Sequence, residues 1–291
     1  MMMAKRAPID KLDGFSIFNY TFMAIICLIT VYPFWDVLVV SFSSFKDYGS
    51  TNIHLWPKHF DLSSYKFLFN MRRLWTAYQN TLFITIVGTA ISIVATTMAG
   101  YVLSKNLKGM RIIMFLFVFT MLFDGGIIPR YIIVRRVGIM NTLWSMILPV
   151  AVGTWYLIIM RNYFFTIPSE LEESARIDGA GDLLILVRII VPTSMPVIAT
   201  ITLFYAVFYW NSFFTGVMYI SDFSKWPLQL FLRAMLFENE ADTLTGGENP
   251  ALLGMPIKMA TIIASALPVM AAYPFFQRYF VKGVLIGAVK G

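Results

Sequence analysis

Five stretches of this chain carry no aspartate, glutamate, lysine or arginine: Gly14–Trp35, Leu74–Ser104, Thr142–Met160, Ile189–Ser221 and Met259–Gln277. The shortest holds 19 residues, and about 20 apolar residues carry a helix across the hydrocarbon core of a bilayer. One such block could be a buried core helix, but five cannot be. Charged residues make up 13% of the chain, against roughly 25% in a soluble domain. The mean hydropathy is +0.70. The chain reads as an all-α, polytopic membrane protein.

The spans follow from these blocks. The first is expected at about 18–40, after a short retained tail (residues 1–17) whose Lys5, Arg6 and Lys11 precede an apolar block too long for a signal core. A polar excursion to about residue 76 contains Trp56, Tyr65 and Trp75, rings suited to a membrane interface. The second span, about 77–103, carries Gly88, Ser92, Ala95, Ala99 and Gly100, small residues that let another helix approach closely. The third is short, because 112–123 runs into "DGGIIPRYIIV". The reading adopted places that stretch at the outer surface. The fourth span is expected at about 142–160, the fifth at 196–220 and the sixth at 258–277. A water-exposed connection is expected between the last two (221–257), and a tail at 279–291.

Six spans put both termini on one side. With the termini inside, the inner segments hold twelve of the 23 basic residues, and "SKNLKGMR" holds three with no acid. That favours a cytoplasmic location for both termini. The single cysteine, Cys27, excludes an internal disulfide. The net charge of +7 finds its source in cations flanking the spans, and no basic run points to nucleic acid.

Between the fourth and fifth spans lies "IPSELEESARIDGAGDLLILVRIIVP", the most charged part of the chain. Ser169 and Glu172 fit a capping box, Glu170, Glu172 and Glu173 suit the positive end of a helix dipole, and Gly179 is placed to end the helix in the left-handed conformation. Asp182 is expected to cap a second helix that runs to Pro192 and Pro196. The spacing predicts a two-helix elbow at the membrane surface (within a loop at 163–190), with a small flat patch bearing Ser174 and Ala175.

This segment resembles a known signature. Glu173-Ser174-Ala175, Gly179 and, nine residues on, Ile189-x-Val191-Pro192 are similar to the "EAA---G---------I-LP" motif of the membrane subunits of binding-protein-dependent ABC importers. Ser174 replaces the first alanine and Val191 the leucine. "WPKHFDLSSYKFLF", "NTLFITIVGTAISIVATTMAGYVLSK", "YWNSFF" and "YFVKGVLIGAVKG" extend the likeness to carbohydrate importers of the maltose type over nearly the whole chain.

The resemblance implies a type I permease fold with a core at about 77–278. It also implies that the 169–181 helix docks on a separate cytoplasmic ATPase. Glu172, Glu173, Ser174, Ala175, Asp178, Gly179 and Pro192 are then the coupling residues. The implied partners are a homologous permease, an ATPase dimer that binds ATP and Mg2+, and an extracytoplasmic solute-binding protein. The setting is the bacterial cytoplasmic membrane and its lipid.

No Gly-Lys dipeptide occurs, so the chain has no P-loop and needs no cofactor of its own. It is expected to be non-catalytic. His54 and His59 read as surface residues. A self-contained ion-coupled carrier is the competing class, but it would need ionisable residues at membrane depth, which the second, fourth, fifth and sixth spans lack.

For substrate, Tyr205, Tyr209, Trp210 and Asn211 combine ring faces with polar tips that suit a sugar, while packing between helices explains the same residues. On the outer side stand Arg72, Arg73, Arg130, Arg135 and Arg136. They fit either headgroups and the binding protein or an anionic substrate. "GGIIPRYIIVRRVGIMNT" resembles the branch serving oligo- and polysaccharides, so the expected cargo is an oligosaccharide, with an acidic, uronate-containing one as the sharper form.

Overall fold

A computed structural model describes residues 14–44, 55–105, 107–237 and 254–288, with side chains to residue 271. Two compact units divide the chain, residues 1–70 with 245–264 and residues 71–244 with 265–291. In the first, α1 (Gly14–Ser41) is a continuous apolar helix long enough to span a bilayer. A short helix, α2 (Ser63–Asn70), follows. Asp61 starts it by accepting from the Ser63 backbone N–H at 2.8 Å and the Ser63 hydroxyl at 2.9 Å. These bonds to the ionised carboxylate hold the Asp61 pKa below its ordinary value. The end of α1 meets α2 through Ser41 Oγ and Tyr65 Oη, 2.8 Å apart, and through Phe42, which stacks on Phe60.

The second unit is built on α3 (Arg72–Ser104), 33 residues or about 50 Å of helix. Its buried positions include Leu74, Thr81, Ile84, Gly88, Ser92, Thr96 and Gly100, the three-and-four spacing of one helix face. That face packs against α7 (Thr154–Phe164) and α10 (Met195–Trp210). The small residues act as expected, being buried or half-buried against protein. A Cβ on Gly88 would stand 2.8 Å from the Tyr209 ring, so only hydrogen fits there.

The remaining spans are broken. The helix α4 (Met110–Leu122) stops before Asp124, and α5 (Ile127–Arg136) leaves it at 116°. Asp124 pairs with Arg130 at 3.0 Å, both exposed. The stretch after residue 123 thus turns away and does not prolong the span. The fourth span is not one helix: α6 (Trp144–Val150) and α7 meet at 49° around Gly153. The fifth ends earlier than expected, at Trp210, and α11 (Phe214–Tyr219) is separate. The last helix, α13 (Met255–Ala288), runs past Gln277 well into the stretch expected to be a tail. Among the described residues, two continuous helices and three bent pairs are long and apolar enough to cross a bilayer, and α13 begins with a shorter apolar stretch, Met255–Ala271, so the helix count is consistent with six spans.

The 221–257 connection is not simply water-exposed. Its α12 (Leu228–Leu236) buries Leu228, Leu230, Phe231, Ala234 and Met235. The hydroxyl of Thr81 accepts from the Leu228 N–H at 2.7 Å, and Asn80 donates to the carbonyls of Ser224 and Trp226. Helical periodicity in "LQLFLRAML" carried that signal. The "ENEADTLTGGENP" stretch, the first thirteen residues and His54 lie outside the described residues.

A coupling elbow and a tyrosine seam

The acidic segment forms α8 (Glu170–Ile177), followed by α9 (Asp182–Thr193). Its C-terminal end is as expected. Gly179 sits at φ +83°, its N–H donates to the Arg176 carbonyl at 3.0 Å, and the Ala180 N–H donates to Ala175 at 2.9 Å. These two bonds satisfy carbonyls that the helix end would otherwise leave open.

The N-terminal end differs from the capping box. Ser169 is itself helical, at φ −66° and ψ −24°, and its side chain makes no cap. From that backbone its hydroxyl does not reach the N–H groups of the first turn. The Ser169 carbonyl instead accepts from Glu172 and Glu173, each at 3.0 Å. Glu172 is thereby free to leave the helix end and pairs with Lys105 at the foot of α3. Nor does Asp182 cap α9. Gly181 occupies that position, and the Asp182 carboxylate pairs with Arg176 of α8. Both carboxylates tie elements together where local capping was expected.

The exposed face of α8 also differs. Ala175 is only 8% exposed and belongs to the buried cluster with Tyr101, Met160, Phe164 and Leu186, so the flat patch does not include it. Glu170, Glu173, Ser174 and Ile177 share the solvent face at positions i, i+3, i+4 and i+7. Ile177 is 86% exposed, an isoleucine on an otherwise acidic surface. Sequence reasoning passed over it because the motif drew attention to Ala175. Asp178 ends the helix and is exposed.

The elbow continues through α9, which contains a π-helical turn at Leu186–Ile190 and meets α10 at 86°. Pro192 has no N–H to donate within the helix, so the backbone before it is free to adopt wider pairing. Pro196 lies in the first turn of α10, where the missing donor does no harm. Lys105 and Glu172 join α8 to α3, and Arg161 of α7 donates to the Leu103 carbonyl at 3.1 Å. The foot of α3 is therefore gripped by both α8 and α7.

The four residues considered for the substrate path do not share one surface. Tyr205 and Tyr209 are 1% and 0% exposed, and Trp210 is buried. Their hydroxyls are fully used. Tyr209 donates to the Ile147 carbonyl at 3.3 Å, which leaves it to accept from Ser92 Oγ at 2.8 Å. Tyr205 accepts from the Gly153 N–H at 3.0 Å and lies 2.7 Å from Thr96 Oγ1. Ile147 and Gly153 flank the α6–α7 break, so the two tyrosines satisfy backbone groups that the break releases. This is packing between helices. Asn211 alone of the four is exposed, its amide donating to Val207 at 2.9 Å.

On the opposite side of the spans, Arg135 and Arg136 are exposed in the last turn of α5, and Arg72 and Arg73 are exposed in the first turn of α3. Positive charge at a helix start opposes the helix dipole, so local helix stability does not explain that pair. Among the described residues no group of three histidine, cysteine or acidic side chains could hold a metal ion.

A bundle of apolar passages, several of them broken, with a surface elbow gripping its foot, defines a membrane-embedded translocation subunit. The chain belongs to the family described as the inner membrane component of binding-protein-dependent transport systems, whose model matches residues 67–286. It is 41% identical over 281 residues to the Bacillus subtilis polygalacturonan/rhamnogalacturonan transport system permease protein YtcP, covering 95% of this chain and 98% of that one. It is 40% identical to the Bacillus subtilis protein LplC, covering 95% of each. A chain of a bacterial ABC transporter involved in the import of the acidic polysaccharide alginate superposes with a TM-score of 0.83 at 32% identity, covering 95% of this chain and 99% of that one. The fold is that of a type I ABC importer permease, and the chain is a non-catalytic subunit of such a system.

Proposed function

We propose that this chain is one of two homologous permeases in an ATP-driven importer of an acidic oligosaccharide. A separate ATPase dimer, which binds ATP and Mg2+, drives it, and an extracytoplasmic solute-binding protein feeds it. Both termini and α8 face the cytoplasm. One relative is named for polygalacturonan/rhamnogalacturonan transport and a solved relative for import of the acidic polysaccharide alginate, and the arginines of α5 and of the start of α3 supply charge opposite to that of an acidic polymer. The observation that carries the reading is α8 itself, whose outward face combines Glu173, Ser174 and Ile177 while its other side is tied to α3.

Closure of the ATPase pair pushes α8. The push reaches α3 through Lys105 and Glu172, and reaches α10 through the bend at the end of α9. The bundle then exchanges its inward opening for an outward one. No carboxylate or lysine is required at membrane depth, which is why the ion-coupled carrier is the poorer reading.

Thiols at Ser174 and Ile177 test the scheme. In the assembled complex they should crosslink to the ATPase and react with impermeant reagents only from the cytoplasmic side. Labelling from outside, or uptake of oligogalacturonate by the permeases without any ATPase, would remove its basis.

A further inference from the structure

Beside α8 lies a cleft of about 370 Å3 that the coupling scheme leaves unused, a volume within the range of small-ligand sites. Met98 and Val102 of α3 and Leu183 of α9 form its apolar wall, and Tyr101, Lys105, Arg176 and Asp182 its polar side, with Asp182 already paired to Arg176 and Lys105 to Glu172. The apolar wall does not stop at the cleft. Ile86, Val94, Met98 and Val102 are all exposed along α3, spaced by four or eight residues, and form a stripe that ends there. On a spanning helix such a stripe meets acyl chains. The polar side continues into the turn "SKNLKGMR", where Lys108 and Arg111 are exposed and no acid occurs.

One atom in the cleft is poorly satisfied. The Tyr101 hydroxyl is buried with no well-aligned hydrogen bond among the described residues and only a weak interaction with Arg176, while Lys105 Nζ stands 4.2 Å over the ring. A buried hydroxyl without a partner is unfavourable. Arg176 gives one nitrogen to Asp182, while a guanidinium has five donors.

We infer that this cleft binds the headgroup of an anionic phospholipid of the adjoining leaflet. The phosphodiester accepts from Arg176 and Lys108 and brings an acceptor to the Tyr101 hydroxyl, while the acyl chains follow the α3 stripe past Met98 and Val102. A juxtamembrane cation attracts anionic lipid by about 1 kcal/mol, roughly five-fold, and Lys108 supplies that net charge, because Arg176 and Lys105 are already paired with Asp182 and Glu172. A zwitterionic lipid of the same chain length lacks that net attraction.

The assembled importer, placed in nanodiscs of phosphatidylcholine with a minority of phosphatidylglycerol, provides the test. A photoreactive side chain at Leu183, 67% exposed, reports the cleft, and one at Ile86 reports bulk lipid. Capture at Leu183 should favour phosphatidylglycerol by about five-fold over capture at Ile86. The pair Tyr101→Phe and Lys108→Gln should return it to the bulk ratio. Equal ratios at the two positions in the unmodified protein, or capture of the ATPase by the Leu183 probe, would overturn the inference. Loss of the enrichment on adding inorganic phosphate would also overturn it, assigning the cleft to a free anion. Capture requires no transport, so its outcome stands apart from the importer reading.

Discussion

Replacing Tyr209 with phenylalanine separates two roles that sequence leaves joined. The hydroxyl accepts from Ser92 at 2.8 Å and donates to Ile147 at 3.3 Å, and all three residues are fully buried. Hydrogen bonds between membrane helices contribute about 0.6 kcal/mol on average and up to about 1.7. Losing two of them, with a buried carbonyl left open at the α6–α7 break, should destabilise the fold by about 1–3 kcal/mol. The ring itself stays, so packing against Gly88 is kept. Gly88→Ala acts on the same contact from the other side, since its new methyl would stand 2.8 Å from a ring that cannot retreat; overpacking of this kind costs about 1–3 kcal/mol. In the double variant the untethered ring can shift. The combined loss should then fall short of the sum by at least about 0.5 kcal/mol. Unfolding equilibria in nanodiscs measure all three variants, and uptake kinetics are recorded alongside. If Tyr209→Phe leaves stability intact but weakens substrate-dependent transport, the tyrosine touches cargo and the seam described here is not structural.

Two further tests address the elbow and the α1–α2 junction. Gly179→Ala meets no atom within 4 Å but forces a side chain onto φ +83°, so it should cost about 1–2 kcal/mol in strain alone and loosen α8 from α9, read as fewer ATPase molecules retained on purification. For Asp61 the sign follows from the lowered pKa. Its contribution is complete above the ordinary carboxylate value of about 3.9 and is lost as pH falls through the lower folded value. Asp61→Asn should flatten the pH dependence of thermal stability in that acid range and change little near neutrality; an unchanged acid slope would refute the assignment.

Much of the architecture could be read from charge-free blocks, because lipid leaves a spanning segment few other compositions. The breaks were harder. Pro149 and Gly153 are weak points in a charge-free run, but such residues also occur inside unbroken spans, and the group that satisfies the Gly153 N–H comes from Tyr205, more than fifty residues away. The same distance hid the tyrosine seam. Alone, Tyr205 and Tyr209 look like sugar platforms as readily as rivets, and only their partners on α3 decide. The capping box failed for a related reason. Ser169 and Glu172 have the right spacing, but Lys105, far earlier in the chain, competes for the carboxylate, and an ion pair between elements prevails over a local cap. The burial of α12 was legible in its helical period, though the length of the polar connection obscured it.

The small residue of the motif has its explanation on the inner side of α8, not the outer. Ala175 lies in the cluster with Tyr101, Met160, Phe164, Ile185 and Leu186, all of them buried. The short side chain of Ala175 lets α8 sit on that cluster without displacing its larger members. Ala175→Leu adds three methyl-sized groups to a filled space, and overpacking on that scale costs about 1–3 kcal/mol. The cheapest relief is for α8 to lift away from the bundle, which would break the Lys105–Glu172 pair while leaving the outward face of Glu173, Ser174 and Ile177 chemically unchanged. The variant should therefore still bind the ATPase but hydrolyse ATP without moving cargo, a loss of coupling with docking preserved. Ala175→Ser, which adds one atom, should keep most transport. If Ala175→Leu instead abolishes ATPase binding while the fold remains intact, the alanine faces the partner and the inward placement of this position is wrong.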